Sequence, residues 1–165
     1  MFNSKKIAKA GVISALYVAI SLLTYPFASG TVQVRIAEGL TLLPLFFVEA
    51  IPALFIGCII VNVLTACALW DIILGSLITL TAGILTYLIG KIIKKHSLKI
   101  IIGGIFPVIL NALFLPLVWL LLSSNVEEVY YISAIYIFIG QAISVYGVGT
   151  AVYLAVSKLD KKKNN

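Results

Sequence analysis

The stretch VRIAEGLTLLPLFFVEAIPALFIGCIIVNVLTACAL, residues 34–69, decides how many times this chain crosses a membrane. From Leu40 to Leu69 it is apolar, interrupted by Pro44, Glu49 and Pro52. So long an apolar run is not expected outside the bilayer, and it exceeds the roughly 20 residues of one span. Glu49 is polar, and Pro52 suits the first turn of a new helix. The stretch therefore reads as two short spans, 36–48 and 51–69, with a turn at Val48–Pro52. The first is short. Glu38–Val48 would rise only about 16 Å as an α-helix, against a hydrocarbon core of about 30 Å. It must extend upstream through Ile36 or be sheltered by its neighbours.

Four longer apolar segments flank this one: Ile7–Tyr25, Ile72–Gly90, Ile100–Leu122 and Ile132–Val156. Lys9 apart, they carry no Lys, Arg, Asp or Glu. The 165 residues are 62% hydrophobic and 11% charged, against roughly 45–50% and about 25% in soluble domains. The lysines form three clusters: Lys5, Lys6 and Lys9; Lys91, Lys94, Lys95 and Lys99; and Lys158, Lys161, Lys162 and Lys163. Each abuts an apolar segment, as cytoplasmic loops do, so an even number of spans separates any two. The expectation is an all-α integral membrane protein. It forms a single membrane domain with six transmembrane helices near 7–25, 36–48, 51–69, 71–90, 100–122 and 132–156, and both termini are cytoplasmic. A four-span version results if 40–69 does not cross. The outer loops are then Pro26–Ala37, the connection around Trp70–Asp71, and Ser123–Tyr131 with Glu127 and Glu128. Trp70, Trp119, Tyr130 and Tyr131 fall at the outer interface, where amphipathic rings prefer to sit. Ala28-Ser29-Gly30 resembles a signal-peptide cleavage site, but the preceding apolar region is longer than the usual 7–15 residues. The segment is expected to be retained.

The net charge of +6 does not imply nucleic acid, because no stripe interleaves arginine with aromatics. It fits a membrane surface, and the basic tail suits anionic lipid heads. Cys58 and Cys67 have neither CxxC spacing nor a nearby His, and read as small buried hydrophobes. His96 lies among lysines and reads as solvated. No metal site, cofactor or catalytic residue is expected, since there is no Walker loop, HExxH or GxSxG.

Polar residues in or beside spans carry the functional information, because a charge at mid-membrane costs about 2.5–3.5 kcal/mol on insertion scales. Arg35 is the only arginine. In a helix it shares a face with Glu38, either as an interfacial ion pair or as a pair of ligand-binding groups. Glu49 reads as a helix-start carboxylate. Asp71 is a cap, or with Trp70 part of a site for a flat ligand. Asn62, Asn111 and Gln141 either bond helix to helix, worth about 1 kcal/mol, or converge on a cavity with Arg35, Glu38 and Asp71. Gly11, Ala15 and Ala19 share one face of helix 1. So do Gly147, Ala151 and Ala155 of helix 6. Small residues so spaced admit another helix closely.

Three blocks, Val34–Pro44, Glu49–Cys58 and Leu69–Leu77, resemble the QueT family, and the likeness covers nearly the whole chain. These are substrate-binding S components of energy-coupling factor (ECF) transporters assigned to queuosine precursors. The resemblance implies a six-helix fold in a bacterial plasma membrane that captures a micronutrient at the outer face. It also implies docking on a transmembrane scaffold subunit that carries a pair of cytoplasmic ATPases, through an alanine pattern matched by Ala15-x-x-x-Ala19. The implied substrate is a 7-deazaguanine-type base, flat, with N–H donors and a carbonyl on its guanine edge. Arg35, Glu38, Asn62, Asp71, Asn111 and Gln141 could bond that edge, and Trp70, with Tyr136 or Tyr146, could stack on the ring. An S component for another vitamin, a small membrane enzyme and a non-transport scaffold protein are the alternatives.

Overall fold

The structure, a computed structural model, describes residues 3–29, 32–122 and 127–164, without the side chains of 118, 119, 121, 122, 127–129 and 160–164. The expectations for Trp119, Glu127 and Glu128 rest on side chains outside that set, and those for Gly30 and for 123–126 on residues outside it. Helix α1 (Ser4–Leu23) leads through a short α2 (Tyr25–Ala28) into a 3₁₀ segment, Ile36–Leu45. Then follow α3 (Ala50–Leu64), α4 (Leu69–Ile92), α5 (His96–Leu122) and α6 (Glu127–Ala142), which runs through a π segment, Ile143–Val148, into α7 (Gly149–Asn164). No strand occurs among the described residues.

Four helices are long and apolar enough to cross a membrane: Ser4–Leu23, Leu69–Ile92, His96–Leu117 and Tyr130–Leu159. Ile36–Leu45 and Ala50–Leu64 are shorter apolar helices. The side-chain pattern is inverted relative to a soluble protein. Leu16, Ile56, Leu77, Ile105 and Ile135 are exposed, while Glu38, Thr86, Asn111 and Gln141 are buried. This is a membrane protein, with polar groups gathered inside and aliphatic groups turned to lipid.

The 3₁₀ segment is the axis of the bundle. Of its 10 residues all but Ile36 are buried, so irregular backbone at membrane depth is enclosed by protein. The tighter winding lengthens the segment but leaves it short of a hydrocarbon core of about 30 Å. At about 2.0 Å per residue, a 3₁₀ segment of this size spans about 20 Å, where an α-helix would span about 15 Å. Ala37, Leu40 and Leu43 pack with Ile13, Tyr17, Ala53, Leu54 and Cys58 of α1 and α3. Leu42 and Leu45 pack with Val108, Val145 and Tyr153 of α5, the π segment and α7. Two glycines admit the segment at backbone distance. A Cβ on Gly149 would lie 2.9 Å from the Gly39 carbonyl oxygen, and one on Gly90 2.7 Å from that of Leu45.

The first two lysine clusters gather at one end. Lys6 Nζ lies 3.8 Å from Glu49 Oε1. Lys9 sits 3.0 Å from the Phe47 ring centroid. His96, between the Lys94–Lys95 pair and Lys99, bonds the Tyr153 hydroxyl through Nδ1 at 2.7 Å, and Tyr153 packs on Phe46 with centroids 4.7 Å apart. The turn before α3, the α4–α5 connection and α7 thus meet at this basic end.

Candidate functional site

At the opposite end a cavity of about 170 Å³ opens between the end of α1, the α2–3₁₀ connection and the end of α3. Sequence dictates its polar lining. Tyr17, Ser21 and Thr24 recur at helical spacing on one side of α1, and all three line the cavity. Tyr17 is buried against Gly57 of α3 and Ser21 lies a turn further along the same face, so the stripe points to the α3 side. Thr24 turns its hydroxyl back to the Ile20 carbonyl at 2.7 Å and ends the helix. Tyr25 and Ser29 border the cavity from α2 and its cap. Gln33 and Arg35 border it from the connection to the 3₁₀ segment.

α3 delivers Asn62, Thr65 and Cys67 because it stops at Leu64 rather than running to Leu69. The Cys67 N–H reaches back to the Asn62 carbonyl at 3.0 Å, and Ala66 takes φ 52°. This is a left-handed helix terminus, a position glycine normally fills. The turn carries Cys67 over the cavity rim.

The hydrogen bonds already made determine what each group can still offer. Asn62 Nδ2 donates to the Asp71 carbonyl at 3.3 Å and points at Cys58 Sγ, 3.6 Å away. Its Oδ1 is left to accept. Arg35 Nη2 donates to Gln33 Oε1 at 3.2 Å. That uses one of five guanidinium N–H groups and leaves the Gln33 amide as a donor. The Tyr17 hydroxyl donates to Glu38 Oε1 at 2.6 Å. Of the groups whose hydrogens are accounted for, Tyr17 and Asn62 keep acceptor capacity on the α1 and α3 side, and Arg35 and Gln33 keep donors on the connection to the 3₁₀ segment, while the Ser21 and Tyr25 hydroxyls can do either.

The seven expected site residues separate. Arg35 and Asn62 line the cavity. Glu38 is buried one layer beneath it, reached through Tyr17, with Oε2 unpartnered among the described residues. Arg35 and Glu38 are joined by the backbone, the Glu38 N–H donating to the Arg35 carbonyl at 2.9 Å. Asp71 contributes its carbonyl to Asn62 and lies in the first turn of α4. Trp70 is half exposed in the same turn, outside the lining. Asn111 and Gln141 are buried elsewhere. Asn111 Nδ2 donates to the Pro107 carbonyl at 2.8 Å, and neither Gln141 side-chain atom has a partner among the described residues. Tyr17, Tyr25, Gln33 and Cys67 were not singled out by sequence. The stripe Tyr17, Ser21, Thr24 was the available signal for the first, while nothing local marks Gln33.

On α1 and α3, facing outward, Ala10, Gly11, Ala15 and Ala19 line an apolar groove of about 620 Å³ with Ala53 and Ile56. A Cβ on Gly11 would meet nothing within 4 Å.

A family model described as QueT transporter matches residues 7–158. Neither the curated proteins nor the solved structures contain a match to this chain.

Proposed function

The chain belongs to the QueT transporter family, and from that membership we propose that it is the substrate-capture subunit of an ECF-type transporter for a queuosine precursor. It crosses the membrane six times, with the 3₁₀ segment and α3 as the two short spans. The basic end and both termini face the cytoplasm, and the cavity faces outward.

The observation that carries this reading is the division of the cavity into acceptor and donor sides. A 7-deazaguanine-type base presents N–H groups and a carbonyl along one edge. Tyr17 and Asn62 Oδ1 match the first, and Arg35 with the Gln33 amide matches the second. Tyr25 and Tyr17 supply rings for the flat face. The groove along Gly11, Ala15 and Ala19 suits close approach of a scaffold-subunit helix, in line with the family's partnership with a pair of cytoplasmic ATPases.

Calorimetry on the purified protein in nanodiscs tests the reading, with 7-deazaguanine and a panel of unrelated vitamins as titrants. We expect saturable one-to-one binding of the base. Arg35→Ala should weaken it by about 10- to 100-fold, the range for a lost hydrogen bond to a charged group. Binding of a different vitamin, with none of the base, would reassign the substrate and keep the fold.

A further inference from the structure

We infer that the buried Glu38–Tyr17 pair sets the hydrogen-bond polarity of the cavity floor, making Tyr17 an acceptor that selects ligands with an N–H donor at that point. The inference rests on the base-capture reading and concerns how the same site discriminates. Tyr17 is the residue that meets ligand. Glu38 is a positioning residue acting through it.

A tyrosine hydroxyl has one hydrogen and can either donate or accept. In an open pocket it turns to suit whatever arrives and discriminates little. Here its hydrogen is committed. The bond to Glu38 Oε1, at 2.6 Å, is at the short end for O–H···O contacts. Glu38 is 1% exposed, and its second oxygen has no partner among the described residues. Turning the hydroxyl away would leave the whole carboxyl group unpaired inside the bundle, which is costly. The ring is also confined. A Cβ on Gly57 would lie 3.0 Å from Tyr17 Cδ1, so the ring already packs on the α3 backbone and cannot swing that way. With its proton held, the Tyr17 oxygen can offer a ligand only lone pairs. A ligand acceptor at the same point would face lone pair to lone pair, and such a mismatch rejects more strongly than a missing contact.

The test compares 7-deazaguanine with 7-deazaxanthine, which carries an oxygen in place of the exocyclic amine. Affinities are measured for the wild type, Tyr17→Phe and Glu38→Leu in nanodiscs. The wild type should prefer the amine by about a hundredfold or more, as sites built around a specific hydrogen bond do. In Tyr17→Phe, which keeps the ring on Gly57, the preference should fall to within about tenfold. Glu38→Leu frees the hydroxyl to donate and should do the same. A structural role for either residue would weaken both ligands alike and leave the ratio unmoved, which would overturn the inference. Should Glu38→Leu fail to fold, the ratio in Tyr17→Phe decides alone. Equal wild-type affinity for the two bases would also overturn the inference while sparing the capture reading. If the wild type bound neither base, both would fall.

Discussion

Two groups of buried polar side chains, similar in chemistry, have different surroundings. On the α1 and α3 side, Tyr17 and Asn62 border open space, with Glu38 bonded behind Tyr17 and the Asp71 carbonyl bonded to Asn62. On the α5 and α6 side, Asn111 bonds back to Pro107 within its own helix. Gln141 is flanked by Ile137 and Val145, each buried in an apolar cluster. What separates them is which side of the 3₁₀ segment they lie on, and whether a cavity lies there.

Substitutions in the two groups should sharpen that contrast. The largest effect is expected from Glu38→Ala. It strips the Tyr17 hydroxyl of its acceptor and opens a void beneath the floor, so 7-deazaguanine affinity should fall by about a hundredfold or more. Gln141→Leu and Asn111→Leu, remote from the cavity, should leave calorimetric affinity within about threefold of wild type. A loss in Gln141→Leu as large as that in Glu38→Ala would break the comparison.

A second contrast is in stability. An unpartnered buried amide carries its desolvation cost with no return. Gln141→Leu should therefore stabilise by about 1–2 kcal/mol, raising Tm by roughly 2–4 °C per kcal/mol for a chain of this size. Glu38→Ala should lower Tm. If Gln141→Leu destabilises, its amide has a role in the bundle that these surroundings do not explain.

Ala66→Gly gives the smallest effect. An alanine at φ 52° costs about 1 kcal/mol relative to glycine. The glycine variant should melt slightly higher and bind unchanged, provided the turn only ends α3. A weakened site would mean that the stiffness of this turn helps hold Cys67 and Asn62 in place.

The apolar segments and their breaks were legible in sequence because lipid enforces them. The runs without charge reappear as helices and the first two lysine clusters as a basic end, while the turn expected at Val48–Pro52 ends at Glu49, with Pro52 already inside α3. The 3₁₀ winding was not legible. Its apolar residues fit either helix, and the choice depends on the glycine contacts at Gly90 and Gly149, far along the chain. Within the site, Arg35, Glu38 and Asn62 announced themselves as costly residues in an apolar context. Tyr17 did not, since a tyrosine in a span is ordinary until a buried carboxylate is found against its hydroxyl. Nor could sequence tell which of three carboxamides adjoined open space, because that depends on the facing of helices around the central segment.

Cys67 offers the most direct test of where the ligand sits. It lines the cavity, whereas Cys58 is buried, so a small maleimide should label Cys67 selectively. 7-Deazaguanine at about ten times its wild-type Kd should slow that labelling by about tenfold, and Arg35→Ala should cut the protection to about twofold or less at the same concentration. An unchanged labelling rate in the presence of bound 7-deazaguanine would mean that the base is held elsewhere and that this cavity is not the capture site.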